Sequence, residues 1–462
     1  MITLEIDQII QKQDDYFQTG VTKNLQFRLE QLRTLKNAIN KYEDAIIEAC
    51  AKDMGKPEQE AYQGEIVLSI SHIKFMQKNL LRFMRPQKQK LPLGHYPGKA
   101  FTIAEPYGRI LIISPWNYPF QLAIVPLVGA MSAGNCAVIK PSEVSANVSD
   151  VIKQIIEESF DPQYITVLNG GPDIGQKLLA HKWDFIFFTG SGKVGKQVMQ
   201  AASNHLTPVV LELGEKNPCI VDKDVNLKVA VKRIIHGKYF NNGQSCVAPD
   251  YLLVHSRIKD EFINLVDKSL TEFFGDYNKP NKDLTNIINH YQFDRLLNLM
   301  KDKKILLGGA HDKNNKFIAP TLIEVNDWND KIMQNEIFGP LFPIMTYDNL
   351  DLILEKLTEL PKCLSLFLYT KNKEIQEKVQ KKTSSGALVI NESLIHFIMV
   401  DLPFGGVGES GIGKYHGQAS FEAFSHRKSV LKKSLLFDVK QRFAPYSLSR
   451  KQAAWLFKFF SG

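Results

Sequence analysis

Cys246, in FNNGQSCVAPDY, is the residue of this chain whose surroundings best suit a nucleophile. It follows a helix-like run and a Gly-containing turn, which could expose the sulfur and aim backbone N–H groups at it. Such groups favour a thiolate and hold an oxyanion forming beside it. The other fate open to a lone cysteine is that of a small buried hydrophobe. A second stretch, FTGSGKVGKQ at 188–197, fits two signatures at once. Gly190, Gly192 and Gly195 spell the G-x-G-x-x-G of a dinucleotide site; Gly190, Gly195 and Lys196 spell the G-x-x-x-x-G-K of a triphosphate loop. Either would lay a phosphate on the unpaired N–H groups that open a helix. Gln197 stands where a triphosphate loop needs Ser or Thr for Mg²⁺, so that signature lacks its metal ligand. A tight turn that binds nothing is the third possibility. A dinucleotide fingerprint also calls for an acid about 20 residues on to hold the ribose, and that acid would be Glu212.

The elements that must position these residues alternate. Helical patterning runs over Leu25 to Cys50 and Glu58 to Arg85, with Ile66, Ile70 and Ile73 on one face. A Pro/Gly connector and a short strand at Phe101–Ala104 follow. Apolar strands are then expected at 109–114, 136–140, 164–169, 185–189 and 208–213, separated by helices near 120–133, 146–158, 173–181 and 194–204. Short continuous apolar strands alternating with helices indicate α/β architecture, a parallel sheet covered on both faces. A second α/β series starts just after Glu212: helix 226–241, strand 251–255, helix 257–274, strand 304–307, and helices near 349–357 and 372–383.

Composition excludes several classes. The chain of 462 residues has 44% hydrophobic and 23% charged residues and a formal charge of +8, with no Lys/Arg run interleaved with aromatics as a nucleic-acid face requires. Its five cysteines (Cys50, Cys136, Cys219, Cys246 and Cys363) include no C-x-x-C pair, which argues against a zinc site or disulfide framework and for a reducing cytoplasm. The start, MITLEIDQIIQKQDD, carries acids where a signal peptide has its positive charge. Residues 110–139 are uncharged, but their prolines, glycines and asparagines suit buried strands and a helix better than a membrane span; Ala453–Phe460 is too short to span and reads as a packing or lightly interfacial helix.

Six motifs taken together carry a resemblance. FNNGQSC, with LELGE at 211–215, PWNYP at 115–119, KPSE at 140–143, EIFGP at 336–340 and PFGG at 403–406, resembles the aldehyde dehydrogenase superfamily in identity and order over roughly 110–406. KPSEVS, CVAPDY and GESGIGKYHG resemble its class 3 branch. The resemblance implies two doubly wound parallel-sheet lobes, a Rossmann-type cofactor lobe (1–87 and 107–214) and a catalytic lobe (215–420). It also implies a small bridging sheet (88–106 and 425–436) that pairs subunits into a homodimer, and a tail at 437–462. It implies oxidation of a medium-chain aliphatic or aromatic aldehyde to the acid, with NAD, or possibly NADP, as acceptor and no metal. Cys246 would add to the aldehyde, Asn117 and the Cys246 N–H would hold the oxyanion, and Glu212 would activate the water that hydrolyses the thioester. Glu336 could share that last role. Gly190, Ser191 and Gly195 would take the pyrophosphate, Lys140 and Glu143 the ribose, and Glu336 and Phe338 the nicotinamide end. Tyr62, Tyr118 and Phe397 are candidates for the substrate pocket. One position departs from the family pattern. LELGEK has Glu215 where the family usually has a second glycine, which puts a further negative charge near the expected base and thiol and would alter pH dependence or cofactor handling. Rivals are a CoA-acylating dehydrogenase, against which Glu212 argues, a Cys-dependent hydrolase using His236 or His255, and a silent member of the same fold.

Overall fold

The computed structural model describes residues 2–436, 438 and 440–461. Of the segments expected above, Met1 and the tail positions 437, 439 and 462 lie outside the described residues.

The first sheet has six strands. Five run parallel in the spatial order Val209–Leu213, Phe185–Gly190, Arg109–Ile113, Cys136–Lys140, Ile165–Val167. Their inward residues are almost all branched or aromatic, as strands covered on both faces require. One face packs on helices that include Leu25–Lys41, Leu68–Met84, Gln121–Ala133 and Ala146–Ser159, the other on Ile2–Gln18, Pro172–Leu179 and Gly192–Ser203. Each connection leaves a strand at its carboxyl end. The chain steps from Arg109–Ile113 outward to Cys136–Lys140, later returning to Phe185–Gly190 on the opposite side. The crevice between those departures is where open α/β sheets take ligands. Ser114–Asn117 and Gly190–Ser191 both lie there.

The second sheet has seven strands in the order Lys304–Leu307, Thr321–Glu324, Leu341–Tyr347, Tyr251–His255, Pro218–Val221, Ser365–Tyr369, Ala387–Ile390, all parallel except the first. Separate cores on its two faces make it doubly wound as well. The chain then returns to the first lobe, inside the span expected for the catalytic lobe: Gly411–Ile412 pairs antiparallel with Glu212 and Leu211. A third, three-stranded antiparallel sheet joins Gln87–Gln89, Gly98–Pro106 and Ser425–Lys433, with Ser425 opposite Pro106 and Lys433 opposite Gly98.

Two expectations need correction. The helix expected over Leu25 to Cys50 is two, Leu25–Lys41 and Glu43–Met54, broken at Tyr42. The strands at Pro218–Val221, Thr321–Glu324, Leu341–Tyr347, Ser365–Tyr369 and Ala387–Ile390 were not anticipated. They are short apolar runs that gain their identity only from sheet neighbours far away in sequence.

Candidate active site

Cys246 stands at the meeting of two cavities and lies between the lobes. The helix Leu227–Tyr239 ends just before it, and the chain turns back through Asn241 (φ 55°), Asn242 (φ 50°) and Gly243 (φ 74°). Three successive left-handed residues are costly unless the surroundings enforce them. The enforcement is visible. Asn241 and Asn242 are fully buried; the Asn241 N–H donates to Glu60 Oε2 (2.9 Å) and Asn242 Nδ2 to the Thr285 carbonyl (2.9 Å). Gly243 also lies so close to the Gly339 carbonyl that a β-carbon would collide with it, which brings the EIFGP loop against the cysteine loop. Asn217, just after LELGEK, donates to the Cys246 carbonyl at 2.7 Å.

Burial raises the Cys246 thiol pKa, and the Glu336 and Glu212 carboxylates raise it further; its own N–H and that of Val247 oppose them. The thiol is thus met by backbone donors, while burial and the two carboxylates favour its neutral form. The other four cysteines are buried, at 0–6% exposure.

Glu212, on the strand Val209–Leu213, is 3% exposed and neither carboxyl oxygen has a hydrogen-bond partner. Burial raises its pKa well above the carboxylate range, with Lys414 pulling the other way. Glu336 shows the same pattern: burial first, then the charges of Asp250 and Glu215 raise it, against Lys216 and Arg295. The loop carrying it is pinned by Lys216, which pairs with Asp250 (2.5 Å) and donates to the Asn335 carbonyl (3.0 Å), while Asp250 accepts the Ile337 N–H (3.0 Å). Arg295 donates to the Ile337 carbonyl at 2.5 Å. When ionised, an uncommitted carboxylate whose pKa is raised is a stronger base than an ordinary one and can take a proton from a water beside the thiol.

Asn117 is 3% exposed and donates one amide N–H to the Gln244 carbonyl at 3.1 Å, leaving its second N–H to donate elsewhere. The cavity on this side has a volume of about 260 Å³ and brings together Asn117, Gly190, Ser191, Glu212, Glu336 and Phe338 with Cys246. Phe338 is held at φ 51° with its ring edge-on to Trp116, centroids 5.3 Å apart. Gly190 ends a strand, and Ser191 caps the helix Gly192–Ser203 by accepting the Val194 N–H at 3.5 Å. Gly195 is buried against Leu213; a β-carbon there would come 2.6 Å from Leu213 Cδ2. Its role is helix-to-strand packing. The orphaned Thr189 Oγ1 and Glu336 Oε1, together with the helix start, suit a phosphate-linked polar ligand. Lys140 and Glu143 lie apart from this cavity, paired at 2.5 Å at the end of the adjacent strand.

The opposite cavity, about 300 Å³, runs from Cys246 between apolar walls that include Val67, Leu122, Phe240, Leu394 and Ile398, and no Asp, Glu, Lys or Arg lines it. Tyr118 and Phe397 are in its wall; Tyr62 is not, being 41% exposed elsewhere, which corrects its candidacy. Glu215 is corrected too. It does not face the thiol or Glu212. It lines a separate cavity with Lys216, Trp328 and Cys363, and its charge acts on Glu336 and Cys363. Sequence reasoning missed Lys216, Asp250, Arg295, Lys56, Glu65 and Gly64. Lys216 and Asp250 had a signal, their places in LELGEK and CVAPDY.

Comparison with known proteins finds relatives over almost the whole chain. Residues 3–430 match the model of the aldehyde dehydrogenase family. The chain is 44% identical over 445 residues to the 4,4'-diaponeurosporen-aldehyde dehydrogenase of Staphylococcus aureus, covering 96% of this chain and 97% of that one. It is 44% identical to aldehyde dehydrogenase family 3 member H1 of Arabidopsis thaliana (93% and 90% covered) and 42% identical to the mouse dimeric NADP-preferring aldehyde dehydrogenase (93% and 95%). A solved structure of Staphylococcus aureus AldH in its substrate-bound state superposes with a TM-score of 0.95 at 43% identity, covering 98% of this chain and 99% of that one.

Proposed function

The chain belongs to the aldehyde dehydrogenase family and is an aldehyde dehydrogenase, and from that premise we propose that it oxidises apolar aldehydes, medium-chain aliphatic or aromatic, through a covalent adduct on Cys246. The observation that carries this reading is the apolar cavity that opens onto the Cys246 thiol and has no Asp, Glu, Lys or Arg in its wall. A charged substrate would meet no carboxylate, ammonium or guanidinium there, and His236, the imidazole in the wall, is kept towards its neutral form by burial. A relative carries diaponeurosporen-aldehyde in its name, in keeping with such a lining.

Bound nicotinamide dinucleotide supplies the hydride acceptor. Gly190 and Ser191 would hold its phosphates, Glu336 and Phe338 its nicotinamide end, and Lys140 and Glu143 its ribose. The Glu143 carboxylate, paired with Lys140, would repel a 2′-phosphate, so NAD is preferred and NADP accepted more weakly. The Cys246 thiol loses its proton to solvent water as its sulfur attacks the carbonyl carbon, and the oxyanion is met by the spare Asn117 N–H and the Cys246 backbone N–H. One such donor is worth about 10²–10³ in rate. Loss of hydride from the tetrahedral carbon leaves a thioester on Cys246. Glu212, uncommitted and buried, takes the proton of the water that hydrolyses it, while Glu336 stays with the loop held by Lys216 and Asp250.

The same reading divides the chain into a cofactor lobe at 1–87 and 107–214, a catalytic lobe at 215–420, within which Gly411–Ile412 crosses back to the first sheet, and a bridging sheet that pairs two copies. The last point leans on the relative described as dimeric. No helix among the described residues is long and apolar enough to cross a membrane, and five free cysteines suit a cytoplasmic enzyme.

The test is formation of reduced nicotinamide with a panel of aliphatic and aromatic aldehydes, with NAD and NADP in parallel and Cys246→Ser as control. Turnover of apolar aldehydes that is lost in the control is expected. Preference for charged or very short aldehydes would refute the substrate assignment.

A further inference from the structure

A fully buried ion pair lies behind the proposed oxyanion donor. Lys56 Nζ and Glu65 Oε1 are 2.6 Å apart and both side chains are 0% exposed. Glu65 belongs to a single π-helical turn, Tyr62–Val67, within an otherwise α-helical stretch. Such turns often mark functional positions. The pair is not closed on itself. Lys56 also donates to the Asn117 carbonyl at 3.1 Å and sits 4.4 Å from the Tyr118 ring centroid. The other Glu65 oxygen accepts the Gln121 N–H at 2.9 Å, the first residue of the helix Gln121–Ala133. Asn241 Nδ2 donates to the same Asn117 carbonyl at 3.0 Å and to the Gln244 carbonyl at 3.0 Å, which is the acceptor of Asn117 Nδ2. One charged pair therefore grips both ends of the segment 117–121, on which one residue faces the thiol and another walls the apolar cavity.

Burying two charges usually costs more than their attraction returns, and an apolar pair would fill the space at least as well. We propose that Lys56 and Glu65 are positioning residues. Resting on the reading of Asn117 as oxyanion donor, they hold its backbone so that its amide points at the adduct, and they fix Tyr118 against the substrate. Displacing a catalytic group by about 1 Å can cost 10²-fold.

The experiment is a double-mutant cycle on the full chain. The single-turnover rate of reduced-nicotinamide formation is measured for wild type, Lys56→Met, Asn117→Ala and the double variant. Glu65→Gln is run alongside and read the same way should Lys56→Met not fold. Alkylation of Cys246 and thermal melting report an intact fold. Lys56→Met should lower the rate about 10- to 100-fold with KM for cofactor unchanged, and should have less than about a twofold effect once Asn117 is Ala, because coupled residues are not additive. An equal loss in both backgrounds, or no loss in a folded variant, overturns the proposal. A wild-type rate for Asn117→Ala alone would instead remove the oxyanion reading beneath it.

Discussion

Gly64 offers a quantitative test of the apolar cavity as the substrate site. It lies in the π-helical turn, and a β-carbon built on it would come 3.2 Å from Tyr118 Cε1 and 3.5 Å from Phe240 Cε1, two rings of the cavity wall. The cavity's volume of about 300 Å³ holds roughly ten methylene-sized groups at ~30 Å³ each, the share of a water. Each buried methylene contributes about 0.8 kcal/mol, so kcat/KM should climb about fourfold per carbon and level off near ten carbons. Gly64→Val adds three carbons to the cavity. Long substrates should lose about 2.4 kcal/mol, or roughly 60-fold in kcat/KM, whereas propanal should change less than about threefold. The assay is initial-rate reduced-nicotinamide formation over straight-chain aldehydes, with melting temperature as a fold check. A uniform loss across all chain lengths, or a cutoff that does not move, would refute the assignment of this cavity to substrate.

Iodoacetamide should label Cys246 at least about 100-fold faster than Cys50, Cys136, Cys219 and Cys363, which are buried away from both cavities, and peptide mass mapping would read it. Glu215→Gln should lower the pKa that governs Glu336, because the Glu215 charge helps raise it; the pH–rate profile would then move to the acid side, and an unchanged profile would sever that link. Acid should destabilise the fold through its buried histidines. Burial holds His72 at about 3 and His396 at about 4, from an ordinary 6.5. The unfolded chain therefore binds their protons first, and stability is full above pH 6.5 and falls as pH drops towards 3. By pH 4 His72 alone should cost on the order of 3 kcal/mol, and His72→Phe should flatten the urea-denaturation dependence between those limits.

Much of the architecture was legible because it rests on local pattern. The alternation of 109–214 sets a parallel sheet, and the structure has its strands within two residues of the expected ends. The second sheet was harder to see, since Leu341–Tyr347 and Ser365–Tyr369 are apolar runs whose strand identity depends on Tyr251–His255 and Pro218–Val221. In the site, the family resemblance, not the spacing of any one motif, implied that Cys246, Glu212, Glu336 and Asn117 work together, and the four line one cavity. Lys56 and Glu65 were invisible for a physical reason. A lysine in the connection between two helices and a glutamate within the next helical stretch both read as solvated, and only the tertiary fold shows that they are sealed from water. Glu215 was misjudged because adjacency in LELGEK says nothing about direction: the strand carrying Glu212 ends at Leu213, and Glu215 lies in the connection to Pro218–Val221.

The central claim is that aldehyde carbon becomes bonded to Cys246 and that Glu212 releases it. The direct measurement is rapid quenching of Glu212→Gln with NAD and a medium-chain aldehyde, followed by mass analysis of the Cys246 peptide. The account predicts an acyl adduct on Cys246 approaching one per chain, a burst of reduced nicotinamide of equal size, and steady turnover reduced at least about 100-fold, with Glu336→Gln showing no such accumulation. No adduct on Cys246, or accumulation in Glu336→Gln and not in Glu212→Gln, would contradict it.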